Sequence, residues 1–131
     1  STLALGLATA ALELIRRESG QRSELLAPLD QLQAEVDTTI EQLIALAERG
    51  TVGSHDGSQG EGKSVTPFSM RAKANSIVLR ATQAALVAAK GAGFVAGHPA
   101  GRWCQQALFF LVWSCPQPVL TANLCELAGL E

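Results

Sequence analysis

Chemistry in this chain is concentrated in one stretch, Lys90 to Val119, which reads KGAGFVAGHPAGRWCQQALFFLVWSCPQPV. Gly91, Gly93 and Gly97 precede Pro99, where an apolar segment begins. Glycines let backbone N–H groups approach an anion, and a helix N-terminus adds a positive field, so the pattern is able to cradle a phosphate. It follows a helical segment and not a strand, so it is neither a dinucleotide-binding fingerprint nor a P-loop. On residue type and spacing alone, a plain turn between two helices is the simpler reading.

The same stretch holds His98, Cys104 and Cys115, a conceivable metal set. On one helix Cys104 and Cys115 would stand about 16 Å apart by helical rise, beyond disulfide reach. With Cys125 they form an odd set of three cysteines without CxxC spacing. They read as reduced, mostly buried small apolar residues in preference to metal ligands. Reduced thiols are the usual state in a cytosol, so a cytoplasmic location is expected.

The elements that must position this stretch are helical. Leu5, Ala8, Leu12 and Ile15 form one stripe of a first helix over Leu3 to Arg17, with Leu7, Ala11 and Leu14 beside it and Gly20 as a stop. Pro28 suits the first position of a second helix, in which Leu29, Leu32, Val36, Ile40, Leu43 and Leu46 recur at three- and four-residue steps. Between them Asp30, Gln33, Glu35, Asp37, Glu41 and Glu48 read as a solvated face. Residues 50–66, rich in glycine and small polar residues and including His55, read as a flexible loop. Thr66-Pro67 then caps and starts a third helix to about Ala89, whose alanines lie all round the cylinder. An all-round apolar helix is buried, and small side chains admit close neighbours, so this one is expected at the centre. Arg71, Lys73, Arg80 and Gln83 mark its watered face. A fourth helix runs from Pro99 to about Trp113. A fifth, Pro118 to Ala128, carries Leu120, Leu124 and Leu127. No stretch alternates with period two over a strand length, so the fold class is all-α, with antiparallel neighbours.

The length of 131 residues suits a single domain, and the 47% apolar and 17% charged fractions suit a folded chain. The formal charge is −2, with acids and bases interspersed, which favours neither nucleic acid nor an anionic membrane. Two Trp, four Phe and no Tyr make a base-stacking surface an unlikely reading of the composition. The longest uninterrupted apolar run, Ala107 to Trp113, is far short of the roughly 20 residues that span a bilayer. The start Ser1-Thr2-Leu3 lacks an initiator Met and a basic leader, and reads as the cut edge of a longer chain.

The spacing of Gly93-Phe94, Pro99, Arg102, Trp103 and Ala107 resembles the C-terminal helical domain of acyl-CoA dehydrogenases. There a GG-x-GY/F turn leads into a proline, an arginine, an aromatic and then Arg-Asp-Ala. The correspondence needs no gap from Gly91 to Val119 and extends more loosely over nearly the whole chain. It implies an up-and-down four-helix bundle with a short extra C-terminal helix. It also implies an FAD-dependent oxidoreductase acting on CH–CH groups of acyl-CoA, with most of the FAD held by domains that precede this one. Gly91, Gly93 and Phe94 would be the cofactor-binding turn, touching FAD held by a neighbouring subunit, and the bundles would pack into homodimers or tetramers.

Departures from the pattern carry equal information. Lys90 stands at the family's first glycine, and Gln105 and Gln106 replace the Arg-Asp pair. The arginine–x–x–Phe–Gly segment is not recognisable in Arg17 to Gln21. Ser114 occupies the position of the glutamate that removes the substrate's α-proton in many members; a hydroxyl binds protons far too weakly for that task. No catalytic residue is therefore assigned. The parent is expected to be an acyl-CoA dehydrogenase-like oxidoreductase whose base, if it has one, lies elsewhere. Two alternatives stand beside it: a non-catalytic bundle kept for oligomerisation or binding, and a domain of a flavin-dependent monooxygenase of the same fold. Nowhere do two acids, or a nucleophile and its base, converge in an apolar surrounding, so a stand-alone enzyme is the least favoured. The apolar run Phe109 to Trp113 exceeds what one helical layer buries and leads us to expect self-association through the fourth and fifth helices.

Overall fold

The computed structural model describes residues 1–51, 65–113 and 115–130. Five α-helices follow one another: α1 Thr2–Ser19, α2 Leu26–Thr51, α3 Pro67–Ala89, α4 Pro99–Val112 and α5 Gln117–Leu127. Short 3-10 turns, Ser23–Leu25 and Lys90–Phe94, lead into α2 and out of α3. Among the described residues there is no strand, and the chain is all-α. Of the expected flexible loop at 50–66, residues 52–64, with His55, lie outside the described residues, as does Ser114; residues 50 and 51 close α2 and Thr66 caps α3.

Helix α3 packs against each of the other four helices. Its start is defined by Thr66, whose hydroxyl accepts from the Ser69 N–H at 3.0 Å while Ser69 Oγ accepts from the Thr66 N–H at 2.9 Å. This reciprocal box and Pro67 satisfy or remove the first-turn donors. The centre of α3 is built from small side chains: Ala74, Ala81 and Ala85 are fully buried, with Ile77 and Val78 between them. Against this face α1 lays Ala4, Ala8, Ala11, Leu12 and Ile15, and α2 lays Leu29, Leu32 and Val36. Methyl-sized contacts bring helix backbones close, so a missing methylene here has nothing nearby to refill it.

Several local features differ from the sequence reading. Helix α2 starts two residues before Pro28, on the preceding 3-10 turn; Pro28 still lies in the first turn, where its missing N–H leaves no bond unmade. Gly20 keeps a right-handed φ of −56°, so α1 runs into a turn and is not closed by a left-handed glycine. The apolar stripe of α2 is less deeply covered in its C-terminal half, where Ile40 is exposed while Leu43 is half-buried against the core. The polar residues of α3 reach across to its neighbours. Lys73 Nζ donates to Gln42 at 3.0 Å, Arg71 to the carbonyl of Trp113, and Arg80 Nη1 to Glu35 at 3.1 Å. Glu35 thus leaves the purely solvated face assigned to α2.

Helices α4 and α5 are shallowly seated. Only Ala100 and Ala107 of α4 are buried, with Trp103 and Phe110 half-buried against the core. Helix α5 buries Val119 and Asn123, whereas Leu120, Leu124 and Leu127 face outward. Asn75 of α3, 1% exposed, anchors α4 by donating Nδ2 to the Phe110 carbonyl at 3.2 Å.

Two outcomes follow for stability. Ile77→Ala, at the fully buried centre of α3, costs about 2–5 kcal/mol in denaturant unfolding. Phe68→Ala, on the exposed flank, costs less than about 1 kcal/mol. The hydrogen bond from Arg80 holds the Glu35 carboxyl below its ordinary range against an opposing effect of burial. The folded chain therefore binds that proton less readily than the unfolded one. The pair's stabilisation is present above the unfolded glutamate value, about 4.3, and is lost as pH falls through the lower folded value. Glu35→Gln removes this part of the acid-side decline, and for so accessible a pair the loss at neutral pH is about 0.2–1 kcal/mol.

Candidate functional site at the glycine turn

The end of α3 has no basic residue in its last turn, and its backbone reverses at Lys90 with φ 53° and ψ −143°. That region is open to glycine and strained for a residue with a Cβ. The turn continues through short-range bonds: the Lys90 N–H donates to Val87, and the Val95 N–H to Ala92 and the His98 N–H to Val95 at 3.0 Å each. Gly97 adopts φ 88°, and His98 then caps α4, its Nδ1 accepting from the Ala100 N–H at 3.2 Å. Pro99 follows at the first helical position.

Two glycines hold the turn against both helices it connects. A Cβ on Gly93 would sit 2.5 Å from Leu86 Cδ1 and 3.4 Å from the Ala89 Cβ, on α3. A Cβ on Gly101 would sit 2.8 Å from the Gly93 carbonyl oxygen. The backbone of the turn therefore lies directly on the first turn of α4. Gly91 is different: a Cβ there would meet nothing within 4 Å, so its surface is free for a ligand or a partner. Phe94, 79% exposed, and Val95 project from the turn. They border a cleft of about 420 Å³ whose other walls include His98, Gly101, Arg102 and Cys104.

This arrangement is suited to an anion. Pro99 has no N–H and that of Ala100 is taken by His98, which leaves the Gly101 N–H without an intrahelical acceptor, and the helix end adds its positive field. Arg102 is exposed on the cleft wall and Lys90 on the turn. Charge along the chain is less evenly interspersed than its overall balance indicates: between Lys63 and Glu126 there is no Asp or Glu, whereas Arg71, Lys73, Arg80, Lys90 and Arg102 all fall there. That segregation was legible in the sequence and is hidden by the net charge.

Gly91, Gly93 and Phe94 are thus brought together on one turn, with Gly93 buried in packing and Gly91 and Phe94 open. His98 and Cys115 are not brought together, since they flank opposite ends of α4, about 20 Å of helical rise. Cys104 Sγ is instead directed to the Thr82 carbonyl at 3.3 Å, and Cys115 Sγ lies 3.9 Å from Asn123 Nδ2. All three cysteines are free and only half-buried, less deeply placed than core thiols. Among the described residues, no group of three or more His, Cys, Asp or Glu side chains is placed to hold a metal ion. The close seat of Gly101 and the left-handed backbone of Lys90 are the two features the sequence reading missed. A glycine inside the first turn of a helix was the available signal for the former; nothing in a lysine signals the latter.

No protein-family model, no curated protein and no solved structure matches the chain.

The glycine contacts set opposite expectations for two substitutions. Gly101→Ala forces backbone apart and lowers stability by about 1–3 kcal/mol. Lys90→Gly relieves the strained φ and raises stability by about 1 kcal/mol. Both are read from denaturant midpoints at unchanged slope.

Proposed function

We propose that this chain is the C-terminal helical bundle of an acyl-CoA dehydrogenase-like flavoprotein, an oxidoreductase acting on CH–CH groups. It would contribute to FAD binding and to oligomerisation without carrying the catalytic base. The observation that supports this reading is the glycine turn: Gly93 is packed by both helices, Gly91 is open, and Phe94 and Arg102 are exposed beside a cleft. A dinucleotide cofactor presents a pyrophosphate and flat rings. The positive N-terminal end of α4 and the Arg102 guanidinium fit the former, and the exposed Phe94 ring fits the latter. FAD, mostly held by other domains, would supply the redox chemistry; the residues here would orient one edge of it and shield it from water. Among the residues of the turn and α4, Lys90 to Val112, no carboxylate occurs that could take an α-proton.

A second reading, a non-catalytic assembly module, is favoured by one specific observation. Leu108, Phe109, Val112 and Trp113 are each at least half exposed, as are Leu124 and Leu127 of α5. Phe109 and Trp113 stack with ring centroids 5.3 Å apart, presenting a broad apolar surface. An apolar surface of this kind suits a second copy of the chain, which would make the bundle an oligomerisation unit in either reading.

The full natural chain separates the two. A flavin spectrum that bleaches on addition of an acyl-CoA supports the oxidoreductase, whereas a colourless, stable oligomer that takes up no added FAD leaves only the scaffold. Bleaching by a reduced nicotinamide with oxygen uptake, and none by acyl-CoA, would point to a monooxygenase of the same fold. For the apolar face, Val112→Glu combined with Leu124→Glu is expected to convert an oligomer to monomer in light scattering while leaving helicity unchanged. A chain already monomeric at high micromolar concentration would remove the assembly role.

A further inference from the structure

The connection between α1 and α2 reaches the glycine turn through a single side chain. Arg22 lies between Ser19 and Leu25, and its backbone is fixed at both groups: its N–H donates to the Ser19 carbonyl and its carbonyl accepts from the Leu25 N–H, each at 3.1 Å. From this rigid base the guanidinium extends to α3, where Nη2 donates to the Ala88 carbonyl at 2.6 Å. Ala88 is the penultimate residue of α3, two positions before the strained Lys90. The last carbonyls of a helix have no partner of their own and carry the negative end of its dipole. Helix α3 has no basic residue in its last turn to meet them, and Arg22 supplies the missing cation from another part of the chain. Its Nε is buried without a partner, a loss tolerated where the remaining bond is charge-assisted.

We propose that Arg22 is the positioning residue of the glycine turn, clamping the end of α3 so that the backbone is held in the left-handed conformation at Lys90. Gly93 packs on Leu86 and Ala89 of α3 and on Gly101 of α4, and the Arg22–Ala88 bond adds a polar anchor at the end of α3. Releasing that bond lets Lys90 relax and swings Phe94 away from the placement that the cleft requires. The consequence for cofactor binding rests on the flavin reading above; the clamp itself does not.

The test uses the full natural chain with Arg22→Met and Arg22→Lys. Hydrogen exchange reads the Lys90, Val95 and His98 amides against the Leu12 amide in the α1 core. Arg22→Met is expected to speed exchange at the three turn amides at least about tenfold, with Leu12 unchanged, the scale of a lost charge-assisted bond. Arg22→Lys, which returns a cation to the helix end, is expected to restore most of the protection. In the same proteins FAD affinity, read by flavin fluorescence, is expected to fall about tenfold for Arg22→Met and to recover with Arg22→Lys. Unchanged exchange at the turn, or equal acceleration at Leu12, overturns the clamp. Faster turn exchange with unchanged FAD affinity overturns its positioning role. A natural chain that binds no FAD removes the flavin reading, while the exchange result still decides the clamp. If Arg22→Met does not fold, Arg22→Gln carries the same comparison.

Discussion

The close approach of helices along α3 is the constraint from which the rest of this structure follows. Ala74, Ala81 and Ala85 have no exposed surface, and the facing α1 residues Ala4, Ala8 and Ala11 have none either. Two alanine faces bring helix axes to the short end of the usual packing distances. At that separation long polar side chains run along the edges, as Lys73 and Arg80 do in reaching from α3 to Gln42 and Glu35. The polar groups buried inside are short and bonded to backbone: Thr39 and Thr82 to their own helices, and Asn75 to the Phe110 carbonyl. It also limits the space for the link from α3 to α4. Gly93 and Gly101 lie at the point where that link is tightest, and Lys90 accepts the strained backbone that a turn this compact requires.

A small-residue seam has an energetic consequence as well. Alanines pack closely but remove little apolar surface per residue, so the larger side chains must supply most of the hydrophobic driving force. Leu12, Ile15, Ile77, Val36 and Val78 do this around α1, α2 and α3. Helices α4 and α5 add few buried residues: Trp103, Phe110 and Val119 turn inward, while Leu108, Phe109, Val112, Leu124 and Leu127 are exposed. Their placement depends instead on the Gly93–Gly101 contact at one end and on Asn75 and Arg71 near the other, where these donate to the Phe110 and Trp113 carbonyls. Specific polar and steric contacts define position there, and apolar area is left exposed.

The helices were legible because their signals are local. Thr66 and Pro67 name the start of α3, and the steps of Leu5, Ala8, Leu12 and Ile15 name the inner face of α1. The stripe of α2 was legible through Leu43, which still packs against the core, but Ile40 within it is exposed, because periodicity shows which residues share a face and not whether anything covers that face. The same limit applies to Leu120, Leu124 and Leu127 of α5, a clear apolar set that turns outward while Val119 and Asn123 turn in. At the site, the glycines and Pro99 were visible as residue types. The Arg22 bond to Ala88 spans 66 positions, and Gly101 became meaningful only once the Gly93 carbonyl was known to lie above it. Both arise from tertiary proximity, which no local pattern encodes.

The distribution of charge decides what the turn is able to do. From Lys63 to Cys125 the sequence has bases and no acids, and Lys90 and Arg102 border the turn while Arg22 joins it from outside that stretch. A carboxylate base needs to be within reach of a substrate proton, and this segment has none to offer. Cations and the positive end of a helix instead lower the energy of a fixed anion without moving a proton. Ser114 lies in the same acid-free segment. The residues around the turn are therefore suited to holding a negative charge in place and not to taking up a proton.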